Sequence, residues 1–251
     1  MLRSLCALLI LFFATGKSQA RVFDFKNSSF GGFVGGTYGP SQATDMAYAG
    51  SSGNNMVFDQ TEQSNYSAEF GFLASTKRFN LKLYAEYLFP RHLTNVTGSN
   101  AAGTGLYNLD THVTTLIPTL ALEFAVKSGN TWRLLVGGGY GYAMANLANK
   151  YTFTTAGQSF GLSDFEEDAT SNSSMYLGYT ALEFQFSDIA TMMLTAGYRY
   201  LKLSAFTSSA AVKGFNGNEA IGSILLNQDG SNRSVDLSGP YGGVSFRFYF
   251  F

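Results

Sequence analysis

From residue 30 onward the chain alternates, apolar residues exchanging with polar or small ones at almost every step. A period of two is that of a strand with two unlike faces. It predicts strands over 30–38, 66–75, 79–90, 110–126, 131–147, 174–186, 191–205 and 234–251. The connections are as informative as the strands. Short turns at 75–78, 127–130 and 187–190 alternate with long polar connections at 39–65, 91–109, 148–173 and 206–233. Strict alternation of short and long links predicts an antiparallel up-and-down barrel of eight strands that crosses a membrane, with short periplasmic turns and four long extracellular loops.

Parity then assigns faces. In the third strand Phe79, Leu81, Leu83, Ala85, Tyr87 and Phe89 share one face, opposite Asn80, Lys82, Tyr84, Glu86 and Leu88. In a barrel that crosses a membrane, the apolar face is the one toward lipid and the charged face lines the interior. The same rule puts Leu120, Leu122, Leu134, Val136, Phe184, Leu194 and Tyr198 outside. Trp132 and Phe79 fall near the short turns, and Tyr87, Tyr142 and Tyr200 near the long loops, which are the two levels of an interfacial aromatic girdle.

Inward, the rule collects Glu69, Lys82, Glu86, Glu123, Arg133, Glu183, Arg199 and Arg247, four acids and four bases. The bore of an eight-stranded barrel is narrow enough for side chains to fill it. Unpaired charges there are costly, so balanced signs predict a salt-bridged plug, or a gate whose pairs exchange. Above this layer Leu88, Leu177, Tyr179, Leu201 and Leu203 turn inward, an apolar upper lumen that reads either as ordinary packing at the rim or as a cup open to the outside that could receive a small hydrophobic molecule.

The ends add to this. Arg3, the apolar run from Leu5 to Ala14 and Ser18-Gln-Ala20 have the form of a secretory signal peptide over 1–20, leaving a single barrel domain over 21–251. The run is too short to span a membrane as a helix. Cys6, the single cysteine, falls inside the leader, which excludes disulfides, a zinc–cysteine centre and a cysteine nucleophile. The charge is near zero, −1 for the whole chain, so nothing suggests nucleic acid. No cofactor or metal site is expected. The glycine clusters at 31–36 and 137–141 lack the lysine and following helix of a phosphate loop, and suit a tightly curved barrel instead. His92 and His112 have no serine at catalytic spacing, so no enzyme is expected. Asp164-Phe-Glu-Glu-Asp168 in the third long loop reads as a solvated acidic patch or a cation site at a lipopolysaccharide surface. In the fourth, Ile221, Ile224 and Leu225 have helical spacing, which suggests a short cap over the barrel mouth or packing against the loop itself.

The C-terminal segment Tyr241-Gly-Gly-Val-Ser-Phe-Arg-Phe-Tyr-Phe-Phe251 resembles the closing strand of bacterial outer-membrane barrels. There a terminal aromatic is read by the barrel assembly machinery. The apolar set here is Val244, Phe246, Phe248 and Phe250, so Phe251 stands one residue off the usual register. Thr195-Ala-Gly-Tyr-Arg-Tyr-Leu-Lys-Leu203 is similar to the same small-barrel family, the OmpA, OmpX and OmpW-like proteins. The resemblance implies a Gram-negative outer-membrane protein in contact with lipid and lipopolysaccharide. It implies either a surface protein that binds a protein partner through its loops or a narrow channel for small solutes.

Overall fold

The computed structural model describes residues 23–25, 27–40, 56–60, 64–90, 92–159, 161, 163–215, 217–227 and 230–250. The expected leader, and Phe251 of the assembly signal, lie outside them. Eight barrel strands follow in chain order: β1 (Ser29–Pro40), β2 (Ser64–Ser75), β3 (Phe79–Pro90), β4 (Gly105–Ser128), β5 (Trp132–Phe153), β6 (Phe165–Gln185), β7 (Ala190–Tyr200) and β8 (Gly239–Tyr249). Each pairs antiparallel with its sequence neighbour, and β8 returns to β1 through Gly31↔Tyr249 to Tyr38↔Gly242. The ring is therefore closed and has no free edge.

Glycines on the inner wall make room for tyrosines. A Cβ at Gly137 would stand 2.6 Å from the Tyr179 ring, and one at Gly71 would stand 2.4 Å from Tyr84 Cβ. The sequence expectation of curvature is thus joined by a packing reason: these tyrosines occupy space that a side chain on the neighbouring strand would need.

The three strands β4, β5 and β6 are much longer than the rest, at 24, 22 and 21 residues. Here the expected loops are corrected. Most of 148–173 is strand, and the connection from β5 to β6 is a tight link holding a single helical turn, Thr155–Gln158, capped by Thr154. The alternation never stops along these strands, but its sense reverses. On β4 the lower part has Leu116, Leu120, Leu122 and Phe124 outside and Glu123 and Thr119 inside. Higher up, His112 and Asn108 are outside while Val113, Leu109 and Tyr107 are buried inside. Below the switch the outer solvent is lipid; above it the outer solvent is water.

A second correction concerns the last two strands. The β7–β8 ladder ends at Arg199↔Gly239, and its continuation is a separate two-stranded piece pairing Lys202–Ser204 with Ser234–Asp236. Leu201, Leu203, Val235 and Leu237 of this region are fully buried. They join Leu93, Val96, Phe206 and Leu225 in one apolar core with the inner faces of β4, β5 and β6. The helical spacing in the fourth loop does not produce a helix. Leu225 enters the core, while Ile221 and Ile224 stay exposed.

Candidate functional site: a filled bore under a closed crown

The floor of the bore is built from strands that meet only because the ring closes. Arg247 of β8 reaches Glu123 of β4 (Nη2 to Oε1, 2.6 Å) and Glu183 of β6 (Nη1 to Oε2, 3.3 Å). Arg133 of β5 donates from Nε to Glu183 Oε2 at 2.6 Å. The remaining carboxylate lone pairs are taken by neutral donors. Asn80 donates to Glu123 Oε2 at 2.7 Å and Tyr179 to Oε1 at 2.8 Å. Thr191 and Tyr249 donate to Glu183 Oε1 at 2.6 and 2.8 Å. Glu123, Glu183, Arg133 and Arg247 are all fully buried. Saturation with hydrogen bonds of this kind is what makes a buried ion network tolerable.

Lys82 is neutralised differently. Its Nζ stands 3.7 Å from Glu123 Oε1 and over three rings, Phe33, Tyr84 and Tyr179, at 4.5, 4.8 and 5.6 Å. Above it Arg199 pairs with Glu86, donates weakly to Thr37 Oγ1 at 3.5 Å and lies 5.1 Å over the Tyr241 ring. Glu69 departs from the expected network. It is half-buried and takes part in none of the ion pairs formed among the described residues. Instead it faces a cavity of ≈ 20 Å3 shared with Lys82, Tyr84 and Tyr241, large enough for roughly one water molecule. Register explains the difference: Glu69 sits directly opposite Glu86, which has already taken Arg199.

Leu88, Leu177, Tyr179, Leu201 and Leu203 lie in one buried apolar cluster, packed over rather than open as a cup. Leu88, Leu201 and Leu203 have no exposed surface. Loop residues Phe206, Leu225, Val235 and Leu237 occupy the space above them. Long polar loops carrying a few large apolar residues bury those residues wherever an apolar wall is offered, and here the wall is the upper bore.

Three features were not legible in the sequence. Phe23 and Phe25 fold under the barrel. Phe23 stacks on Tyr249 at 3.6 Å, and the Arg133 guanidinium lies 4.8 Å over the Phe25 ring. The backbone there is held by Phe23 N donating to Asp188 O at 2.6 Å. The aromatic pair just ahead of the first strand was the available signal. Next, the acidic patch is divided by the strand alternation. Glu166 points out to Lys150 at 2.9 Å, whereas Glu167 points in and takes a two-point contact from Arg233 at 2.6 and 3.3 Å. Arg233 also donates to Tyr151 OH at 3.2 Å, and it is fully buried. This fastens the fourth loop to the wall. Finally, His92 and His112 meet edge to face at 5.1 Å on the outer surface. Burial and the neighbouring His92 hold the His112 imidazole below its usual range.

On the outside, Phe79, Leu81, Leu83, Phe124, Val136, Leu194, Val244 and Phe246 are exposed in one belt. Its span from Phe79 to Phe89 corresponds to roughly 25 Å of height for a tilted strand, the thickness of an outer-membrane apolar band. Val244, Phe246, Phe248 and Phe250 of the expected assembly signal all lie on this belt. This is a membrane-spanning β-barrel of the outer-membrane type. No family model matches the chain, and no curated protein matches it. Solved structures of related shape include the outer membrane protein OprG from Pseudomonas aeruginosa, 13% identical over 90% of this chain and 97% of that one, with a TM-score of 0.48. Ail, the attachment invasion locus protein of Yersinia pestis, is 11% identical over 89% of this chain and 99% of that one, with a TM-score of 0.40. Neisserial surface protein A is 9% identical over 90% and 100%, with a TM-score of 0.41.

The outward face above the belt is polar: His112, Asn108, Lys150, Glu166 and Asn172 are exposed there. From Met144 to the end of β5 the wall rises roughly 20 Å beyond the belt. The long-strand end of the barrel is thus a folded crown with its own apolar core, continuous with the charged bore beneath it.

Proposed function

We propose that this protein is a non-enzymatic, non-conducting barrel of the outer membrane whose purpose is to hold a rigid crown at the cell surface for a protein partner. The observation that supports the reading is the set of buried side chains found at each level of the bore. Phe23 and Phe25 lie beneath it, the buried Glu123–Glu183–Arg133–Arg247 network occupies its floor, and a buried apolar core occupies its upper part. The acids of that floor are held by guanidinium groups and neutral donors, which leaves them poor candidates for acid–base chemistry. Binding surfaces on a rigid scaffold lose little entropy on contact, and the crown supplies such a surface.

A narrow channel is the second reading. Glu69, outside the ion pairs and beside a cavity, favours it. Planar-bilayer conductance of the refolded mature chain separates the two, with Arg199→Ala beside the parent. Silence from both is expected. Steady unitary currents in the parent, altered in the variant, would make the channel the better reading.

A further inference from the structure

The short turns of the barrel carry unequal charge. The β2–β3 turn presents Lys77 and Arg78, and the β4–β5 turn presents Lys127; neither contains an acid. The third turn, between β6 and β7, carries Asp188 instead. The two basic turns are neighbours, joined by Ala125 N donating to the Arg78 carbonyl at 2.8 Å. They enclose a recess of ≈ 310 Å3 lined by Phe25, Lys77, Arg78, Val126, Lys127 and Gly129. All three cations are exposed, and none belongs to an ion pair formed among the described residues.

The placement of these groups relative to the belt narrows the ligand. A register shift between Ala125 and Lys127 sets Lys127 opposite Leu134, on the lipid-facing side. Val126, between them, is 64% exposed. Phe79 and Phe124, cross-strand partners of the aromatic belt, lie directly above. The recess thus has an apolar flank toward the hydrocarbon and three positive groups at headgroup depth, with a guanidinium suited to two-point contact with phosphate oxygens. Both turns are pre-shaped. Thr76 N donates to Phe79 O at 2.8 Å, and Gly129 N donates to Trp132 O at 2.8 Å. The Trp132 indole also covers Gly129 so closely that a Cβ there would stand 2.4 Å from Nε1.

We propose that Lys77, Arg78 and Lys127 form a binding site for the phosphodiester headgroup of an anionic phospholipid in the periplasmic leaflet, its acyl chain lying along Val126. The site rests on the reading of this chain as a membrane barrel. Native mass spectrometry of the mature chain in zwitterionic micelles tests it, with phosphatidylglycerol, phosphatidylcholine and inorganic phosphate as probes. Phosphatidylglycerol adducts should outlast phosphatidylcholine adducts. The triple variant Lys77→Gln, Arg78→Gln, Lys127→Gln should bind phosphatidylglycerol on the order of a hundredfold more weakly. Lys150→Gln, far from the recess, should bind as the parent does. If the triple variant misfolds, Lys127→Gln alone should still lose about fivefold. Undiminished phosphatidylglycerol binding in the variants would overturn the site. Phosphate binding as tight as the lipid's would reassign it to a free anion, and tighter capture of peptidoglycan fragments would reassign it to the cell wall. Flotation with phosphatidylcholine vesicles separates the two levels of failure. A chain that does not insert refutes the membrane reading, whereas one that inserts without charge preference refutes only the lipid site.

Discussion

Arg247 is shared by two carboxylates that hang from strands β4 and β6, and it has no exposed surface. Arg247→Met should therefore leave each buried acid with one cationic partner fewer, Glu123 with Lys82 and Glu183 with Arg133, and destabilise the barrel by about 3 kcal/mol. Urea unfolding in micelles, followed through Trp132, the single tryptophan, measures this. Lys150→Gln breaks a pair whose side chains are 59% and 66% exposed, and should cost less than about 1 kcal/mol. Equal costs for the two would contradict the account of the bore. The histidines offer a subtler test. An imidazole held below its usual range binds its proton less readily when folded. The stability it contributes is full above that range and is lost as pH falls through it. With His92→Gln the second cause of the shift disappears, so the His112 titration followed by NMR should move up and the acid-side loss should shrink. At this scale much was legible. Strand parity alone assigned the inward set, because in lipid the two faces of a strand must differ. Partner choice was not legible. Whether Arg199 serves Glu69 or Glu86 depends on a register fixed by ring closure.

At the scale of elements, one buried ion pair adds to the apolar contacts that tie the fourth loop to the wall. Glu167→Gln removes the charge that Arg233 faces while keeping the shape of the side chain. Backbone amides of 206–238 should then exchange with deuterium at least tenfold faster, as expected for losing about 1.4 kcal/mol or more of local stability, while those of β1 to β3 stay unchanged. Uniform acceleration would mean that the crown and the membrane barrel open together. The sequence disguised this element. Residues 148–153 and 165–173 carry mostly small, polar and charged side chains, and their large ones, Tyr151, Phe153 and Phe165, fall on the inward parity, so a rule tuned to apolar-out, polar-in strands reads them as loop. Asn149, Glu167 and Ser171 are buried inside, and Lys150, Glu166 and Asn172 face water. The alternation persisted, but the contrast that reveals it was gone. Arg233 gave no warning either, since a lone arginine in a polar loop has no local pattern.

The molecule as a whole is two solvent problems stacked on one ring of strands: apolar outside and charged inside where lipid surrounds it, polar outside and apolar inside where water does. The loops are therefore structural. Replacing 206–233 with a short glycine–serine link should expose the apolar inner wall of Tyr107, Leu109 and Val113 to water. Refolding yield should fall severalfold with aggregation, read by size exclusion, and full recovery of a monomeric, equally stable barrel would contradict the shared core. The closing strand has a further consequence. Glu123 and Glu183 arrive on β4 and β6, but Arg247, which answers both, arrives last, on β8. Until the final strand docks, Glu123 has only Lys82 and Glu183 only Arg133 as cationic partners, at a depth where water is scarce. A partly zipped intermediate thus lacks the guanidinium that links the two acids at the moment it is also short of backbone partners. Completion of the ion network and closure of the seam therefore coincide, which favours a chain that closes over one left half open in the membrane.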